Sequence, residues 1–239
     1  MLIHPKLTEA DTTAIHASMD RGWMLEPDAK DMLARQGFDL PQRLNTDSPE
    51  AAAGFMASLS GPVVAKAVSP RILHKTEHNA VVVGIDNPRD LEQEMTRLLS
   101  LDGCGSVLVE EMVGGVEVFV GAKNDAQFGP VVILGVGGTA VEIYNDTAIR
   151  MAPVSPGDVQ SMVDSLTGAP LLTGFRGGAG VDMDTLATLV VRFSHLAMAL
   201  EPRFQSIDLN PVMCSPERCV VADARIMLAT VAQDGTIGG

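Results

Sequence analysis

SVLVEEMVGGVEVFVGAKNDAQFGPVVILGVGG, residues 106–138, is the stretch that decides the fold. Its Val, Ile, Leu and Phe residues come in short runs, and Gly, Asn and Asp interrupt those runs at hairpin-length spacing. SVLVEEMV (106–113), GVEVFVGAK (115–123), GPVVILGV (129–136), AVEIYN (140–145) and TAIRMAP (147–153) predict closely spaced strands. Strands so near one another cannot be joined by the crossovers a parallel sheet requires, so the sheet is antiparallel. Working outward, EPDAKDMLARQG (26–37) predicts a helix with Pro27 near its first turn and Gly37 at its end. SPEAAAGFMASLSG (48–61) predicts another, with Ser48 as N-cap, and NPRDLEQEMTRLLSL (87–101) a third, with Leu91, Met95, Leu98 and Leu99 on one side. Between them, PVVAKAV (62–68) and AVVVGI (80–85) read as a hairpin with the long polar tip SPRILHKTEHN (69–79). Downstream, helices over 155–166 and 182–200 precede two strands, QSIDLNPVM (205–213) and CVVADARI (219–226), joined by the turn SPER. The pattern is α+β. Residues 1–25 have weak periodicity and read as an N-terminal arm, with Trp23 a place for partner contact. Residues 26–239 read as one folded domain, with a smaller lobe over about 26–105, a larger lobe over about 106–228, and a tail.

Composition narrows the function. Apolar residues make up 46% of the 239 and charged ones 20%, which fits a folded chain and excludes a disordered one. No run approaches the ~18 apolar residues of a membrane span, and the N-terminus lacks the cationic lead of a secretory signal. The three cysteines form no CxxC, which points to a reducing, cytoplasmic setting. Thirty acidic against 17 basic residues give a net charge of −13, which disfavours nucleic acid, as does the 4% of aromatics. An acidic chain that handles a nucleotide must gather its few cations at the site, with Mg²⁺ offsetting the phosphates.

Four groups of residues could do this. Lys66 stands in a run of Val and Ala, where a cation is costly to bury unless an anion meets it; it is a phosphate ligand or a sheet-edge lysine that reaches water. Arg71, His74, Lys75 and His78 concentrate cationic character at the hairpin tip, and a histidine there can bind phosphate or attack phosphorus. Glu110, Glu111 and Glu117 surround the Gly114-Gly115 break, where an extended segment can meet an adenine edge and a carboxylate a ribose; two strands with an exposed acidic turn are the other reading. GVGG (135–138) is neither a dinucleotide loop nor a Walker loop. Arg150 nearby can grip phosphate or pair with Glu142. Asp208 and Asn210 lie two apart on one strand and so share a face, with Asp223 on the paired strand, an oxygen-rich set suited to Mg²⁺.

In order, these segments resemble the ATP-grasp subunit of the nucleoside-diphosphate-forming acyl-CoA synthetases, in particular the beta subunit of ADP-forming acetyl-CoA synthetase, and more distantly the succinyl-CoA synthetase beta subunit. The likeness runs from about Glu26 to Ile226, and SPRILHKT, the 106–138 stretch, AIRMAPVS, PLLTGFRG and IDLNPV…VVADARI carry it. The resemblance implies an ATP-grasp fold of two α+β lobes with ATP between them. It implies Lys66 on the phosphates, Glu110, Glu111, Met112 and Val113 at the adenine, and Glu117 near the ribose. It implies Asn210 and Asp223 as Mg²⁺ ligands with Asp208 beside them, and Arg150 on a phosphate. His74, beside Lys75, matches a histidine that ferries the phosphoryl group. The implied reaction is acyl-CoA + ADP + phosphate ⇌ carboxylate + ATP + CoA, shared with a CoA-binding alpha subunit in a hetero-oligomer. One departure stands out: where family members follow the loop lysine with Asp, an apolar residue and two glycines, this chain has Glu77, His78, Asn79 and Ala80. Ala resists φ > 0, so the tip is expected to follow another backbone path. That departure keeps a nucleotide-sensing regulatory module as the alternative, beside a carboxylate–amine ligase.

Overall fold

The computed structural model describes residues 6–137, 146–175 and 180–229. In chain order the helices are α1 (Glu9–Ser18), α2 (Glu26–Arg35), α3 (Pro49–Ala57), α4 (Pro88–Leu99), α5 (Pro156–Asp164), α6 (Ala169–Thr173) and α7 (Met183–Leu200). The strands are β1 (Arg43–Thr46), β2 (Val63–Val68), β3 (Val81–Ile85), β4 (Ser106–Glu111), β5 (Val116–Asp125), β6 (Gly129–Val136), β7 (Thr147–Met151), β8 (Phe204–Cys214), β9 (Cys219–Val221) and β10 (Ala224–Leu228). The described residues fall into two compact units, Pro41–Val113 and the remainder on either side of it.

The smaller unit is an antiparallel sheet in the order β1-β4-β2-β3, covered on one face by α3 and α4. Alternation explains this: Val63, Ala65 and Ala67 of β2 and Val107 and Val109 of β4 point to the helices, where they meet Ala52, Met56, Leu91, Met95 and Leu98. Each large side chain so buried contributes roughly 1.5–3 kcal/mol. Ser48 caps α3 by accepting from the Ala51 amide at 3.2 Å, and Asn87 caps α4 by accepting from the Asp90 amide at 2.9 Å.

The larger unit is a six-stranded antiparallel sheet in the order β10-β8-β5-β6-β7, with β9 on the far end of β8. Val118, Val120, Val132, Leu134, Ile207 and Leu209 face Leu186, Val190, Phe193 and Leu196 of α7. The length and hydropathy of α7 would suffice for a membrane span, but half of that window is buried inside the chain, as in a core helix.

Several expectations need correcting. SVLVEEMV and GVEVFVGAK are not neighbours in one sheet: β4 pairs with β1 and β2, while β5 opens the other unit. Gly115, at φ 151°, makes the crossing; a Cβ there would lie 2.5 Å from the Cys214 carbonyl oxygen, so only glycine passes. CVVADARI divides at Ala222–Asp223 into β9 and β10, which pair with opposite ends of β8. Residues 26–40 belong to the larger unit and 106–113 to the smaller, against the expected lobe boundaries. The expected arm over 1–25 is folded from α1 onward: a capping box joins Thr8 and Asp11, Ile15 and Met24 are in the core, and Trp23 bridges to Met227 under the Arg21 guanidinium. The strand expected at AVEIYN and the partner expected for Arg150 at Glu142 lie outside the described residues.

Candidate functional site

In the smaller unit, Lys66 and Glu110 meet across the sheet. The β2–β4 register sets Lys66 opposite Leu108 and Val64 opposite Glu110, so the two charged residues are diagonal neighbours on the face away from the helices. Lys66 Nζ stands 2.9 Å from Glu110 Oε2, with the side chains 7% and 2% exposed. Since β2 is an inner strand, the sheet-edge reading of Lys66 falls away. Glu110 turns its carboxylate to the lysine, which leaves the adenine to the backbone of the segment that follows it.

Beyond Glu110 the segment is held open by backbone bonds. Glu111 N–H donates to the Gln42 carbonyl at 2.9 Å, Met112 N–H to the Pro62 carbonyl at 3.1 Å, and the Glu111 carboxylate accepts from the Gln42 amide. Met112 is exposed, and the Val113 backbone has no hydrogen-bond partner among the described residues, which leaves its amide and carbonyl available to a base edge. The tip between β2 and β3 is anchored by buried Ile72 and by Arg71, which pairs with Asp102 at 2.8 Å and so leaves the expected cationic cluster. Ala80 N–H donates to the Lys75 carbonyl and Arg97 to the Asn79 carbonyl, both at 2.8 Å. The departure from the family pattern is accommodated by Asn79, which takes φ 50°, while Ala80 is buried and avoids the left-handed region. His74 remains exposed, its Nδ1 4.0 Å from Glu77 Oε1.

In the larger unit, alternation turns Glu117 and Asp208 away from the helices. Gly137 N–H donates to the Glu117 carbonyl at 2.6 Å, and a Cβ on Gly137 would lie 2.8 Å from that carbonyl carbon, which accounts for a glycine of GVGG by close backbone approach. Between Val118 and Val120 the pairing with β8 slips, from Val118↔Val212 to Val120↔Leu209. Asn210 and Pro211 thus oppose the single residue Phe119 in a bulge, a device that re-aims side chains. Asp223 joins the bulge: its carbonyl accepts from the Asn210 amide at 3.2 Å, and its Oδ1 from the Ala224 amide at 2.7 Å. Asp208 is a correction, because Arg225, directly opposite on β10, donates Nε and Nη2 to its Oδ2 at 3.1 and 2.8 Å. Alternation from Asp223 to Arg225, two apart in the expected strand CVVADARI, is the sequence signal for that partner. Arg150 is a second correction: it shares the helix-side face of β7 with buried Ala148 and donates to Ser161 of α5 at 3.1 Å, on the face opposite Glu117.

Residues 15–228 match the ATP-grasp domain family. The chain belongs to the ATP-grasp family. It is 32% identical over 213 residues to the acetate–CoA ligase [ADP-forming] I subunit beta of Pyrococcus furiosus, covering 86% of this chain and 91% of the relative. A solved structure of Ca. Korarchaeum cryptofilum dinucleotide-forming acetyl-coenzyme A synthetase 1, in complex with coenzyme A, Ca-AMPCP and HgCl+, superposes with a TM-score of 0.84 at 31% identity, covering 91% of this chain and 99% of that one. Another structure of that protein, with coenzyme A and Mg-AMPPCP and its phosphohistidine segment pointing towards the nucleotide binding site, gives 0.78 at 30%, with the same coverage. The ATP-grasp fold expected from the sequence is thus the fold of this chain.

The donor set of the bulge suits the metal that accompanies nucleotides. Asn210 offers an amide oxygen and Asp223 a carboxylate, both hard ligands, and Mg²⁺ in nucleotide sites takes one or two such groups and fills its shell with phosphates and water. No cluster of three or more His, Cys, Asp or Glu side chains arranged for a metal occurs among the described residues, as a cation shared with phosphates allows.

Proposed function

We propose that this ATP-grasp chain is the nucleotide-binding subunit of an ADP-forming acyl-CoA synthetase and that, with a CoA-binding partner, it interconverts acyl-CoA, ADP and phosphate with a small carboxylic acid, CoA and ATP. The observation that carries the reading is the match across 86% of the chain to a beta subunit named for that reaction, of which this chain spans 91%. The Lys66 ammonium would contact phosphate oxygens, oriented by Glu110, and the Glu111–Val113 segment would read the adenine through the Val113 backbone and the apolar Met112. Glu117 would accept from ribose hydroxyls, and Asn210 and Asp223 would hold Mg²⁺. Glu117 lies opposite Met213, three residues from Asn210, or ~10 Å along the strand, a span comparable with a triphosphate. When bound, the metal neutralises developing phosphate charge.

His74 carries the phosphoryl group. An imidazole nitrogen attacks the terminal phosphorus of ATP; the N–P bond forms as the bond to the ADP oxygen breaks, and ADP departs with that electron pair. The reverse step makes ATP. Lys75, next in the chain, supplies positive charge to the group in transit. Asp208 and Arg150, committed to Arg225 and turned toward α5, take no part in this reading. Co-expression with a CoA-binding subunit should give ATP formation from acyl-CoA, ADP and phosphate at about 1–10³ s⁻¹, and the isolated chain none. Turnover of acyl-CoA by the isolated chain at such a rate would refute the division of labour, and CoA-independent joining of a carboxylate to an amine would favour the other ligase reading.

A further inference from the structure

Lys30 is a fully buried lysine at 0% exposure, and nothing in the proposed chemistry uses it. It sits one helical turn from Glu26 on α2, its Nζ 2.9 Å from Glu26 Oε1, whose side chain is 2% exposed. The same Nζ donates to the carbonyl of Ala222 at 2.8 Å. That carbonyl and the Asp223 amide belong to one peptide plane, so the bond orients the backbone from which the Asp223 carboxylate projects. The peptides on either side of it are clasped to the bulge: Ala222 N–H donates to the Pro211 carbonyl at 3.0 Å and Asn210 N–H to the Asp223 carbonyl at 3.2 Å.

A buried ion pair is weak evidence for stability, because the desolvation of both ions offsets their attraction; its better-attested use is to fix an arrangement. Here the pair adds no net charge beneath a cation site, since Glu26 neutralises the ammonium, yet it supplies a rigid donor that an apolar residue could not. We propose that Glu26 and Lys30 are positioning residues for the metal-ligating strands, holding the Ala222–Asp223 peptide so that Asp223 and Asn210 present their oxygens together. The inference rests on the assignment of those two as Mg²⁺ ligands.

The test compares Glu26→Leu/Lys30→Met, Lys30→Met and Asp223→Asn. The double variant keeps the packing and is expected to fold even where Lys30→Met, with its unpaired Glu26, does not. Calorimetric titration of Mg²⁺ into chain saturated with AMPPCP should show affinity about tenfold weaker in the double variant, the scale of losing a group that orients a metal ligand. Metal-free AMPPCP should bind as in the wild type. In the metal-free chain, hydrogen exchange at the Ala224 amide, which donates to Asp223 Oδ1, should accelerate about tenfold. Weakened Mg²⁺ in Asp223→Asn with unchanged affinity and exchange in the double variant would overturn the positioning role alone. Unchanged Mg²⁺ affinity in Asp223→Asn would overturn the ligand assignment, and the inference with it.

Discussion

The smaller unit carries its buried charge across a sheet, and the larger one along a helix. Lys66 and Glu110 come from adjacent strands, and the lysine end keeps 7% exposure on the face away from α3 and α4. Glu26 and Lys30 come from successive turns of α2, have at most 2% exposure, and spend a donor on the Ala222 backbone. The chemistry is the same, but the freedom is not. Lys66 stands against a side-chain carboxylate, which can move with it, whereas Lys30 is tied to a backbone carbonyl, which cannot. In the function proposed above, the first lysine meets ligand and the second positions the residues that do.

Breaking the first pair should give the largest effect. Glu110→Gln leaves a buried lysine without its carboxylate, a change that costs about 3–5 kcal/mol, and the urea midpoint should fall accordingly. Lys66→Met/Glu110→Leu, which removes both charges, should recover most of that stability while losing nucleotide affinity. A double variant as unstable as Glu110→Gln would show that the pair is held for packing and not for ligand. A smaller effect marks the charged caps, which act on helix ends without touching the site. Hydrogen bonds from the Thr185 hydroxyl and amide and the Asp184 amide hold the Asp182 carboxyl, at the start of α7, below the usual carboxylate range. Its stabilising contribution is therefore present above the unfolded value of about 3.9 and is lost as the pH falls through the lower folded value. Asp182→Ala should lower the urea midpoint at pH 7, and the wild-type and variant midpoints should begin to converge below about pH 4 and meet once the pH has fallen through the folded value. A difference independent of pH would assign the effect to something other than the charge.

Much of this architecture was legible because periodicity reports burial. Short runs of Val, Ile, Leu and Ala bounded by turn residues mark β2, β5 and β6, and the 3.6-residue stripe marks α4 and α7. The elements that escaped lack such a stripe. RLNT of β1 has no buried residue, and α1 has only Ile15 among large apolar residues in the core. The assignment of β4 and β5 to different sheets was hidden because a Gly-Gly pair reads equally as a hairpin turn; the decisive fact, the approach of Gly115 to the Cys214 carbonyl, joins residues far apart in sequence. The candidate site residues followed the same rule. Lys66, Asn210 and Asp223 were visible as polar residues in apolar strands. Side-chain pairing was not: the fold sets Glu110 against Lys66, Asp208 against Arg225 and Arg150 against Ser161. Lys30 hid in plain view, beside the buried positions Ala29, Met32 and Leu33 of a helix that the sequence marks by its Pro27 start and Gly37 end.

The central claim is that this ATP-grasp chain passes a phosphoryl group through His74, and it is tested most directly by trapping that group. The chain and a CoA-binding partner are incubated with ATP labelled in its terminal phosphate, acid-labile phosphate is preserved by alkaline quenching, and the site is mapped by mass spectrometry in wild type, His74→Asn and His78→Asn. The account predicts label in the wild type and in His78→Asn, and none in His74→Asn. Label that survives His74→Asn and vanishes in His78→Asn would contradict the assignment, and no label in any variant would contradict the synthetase reading and favour a regulatory module.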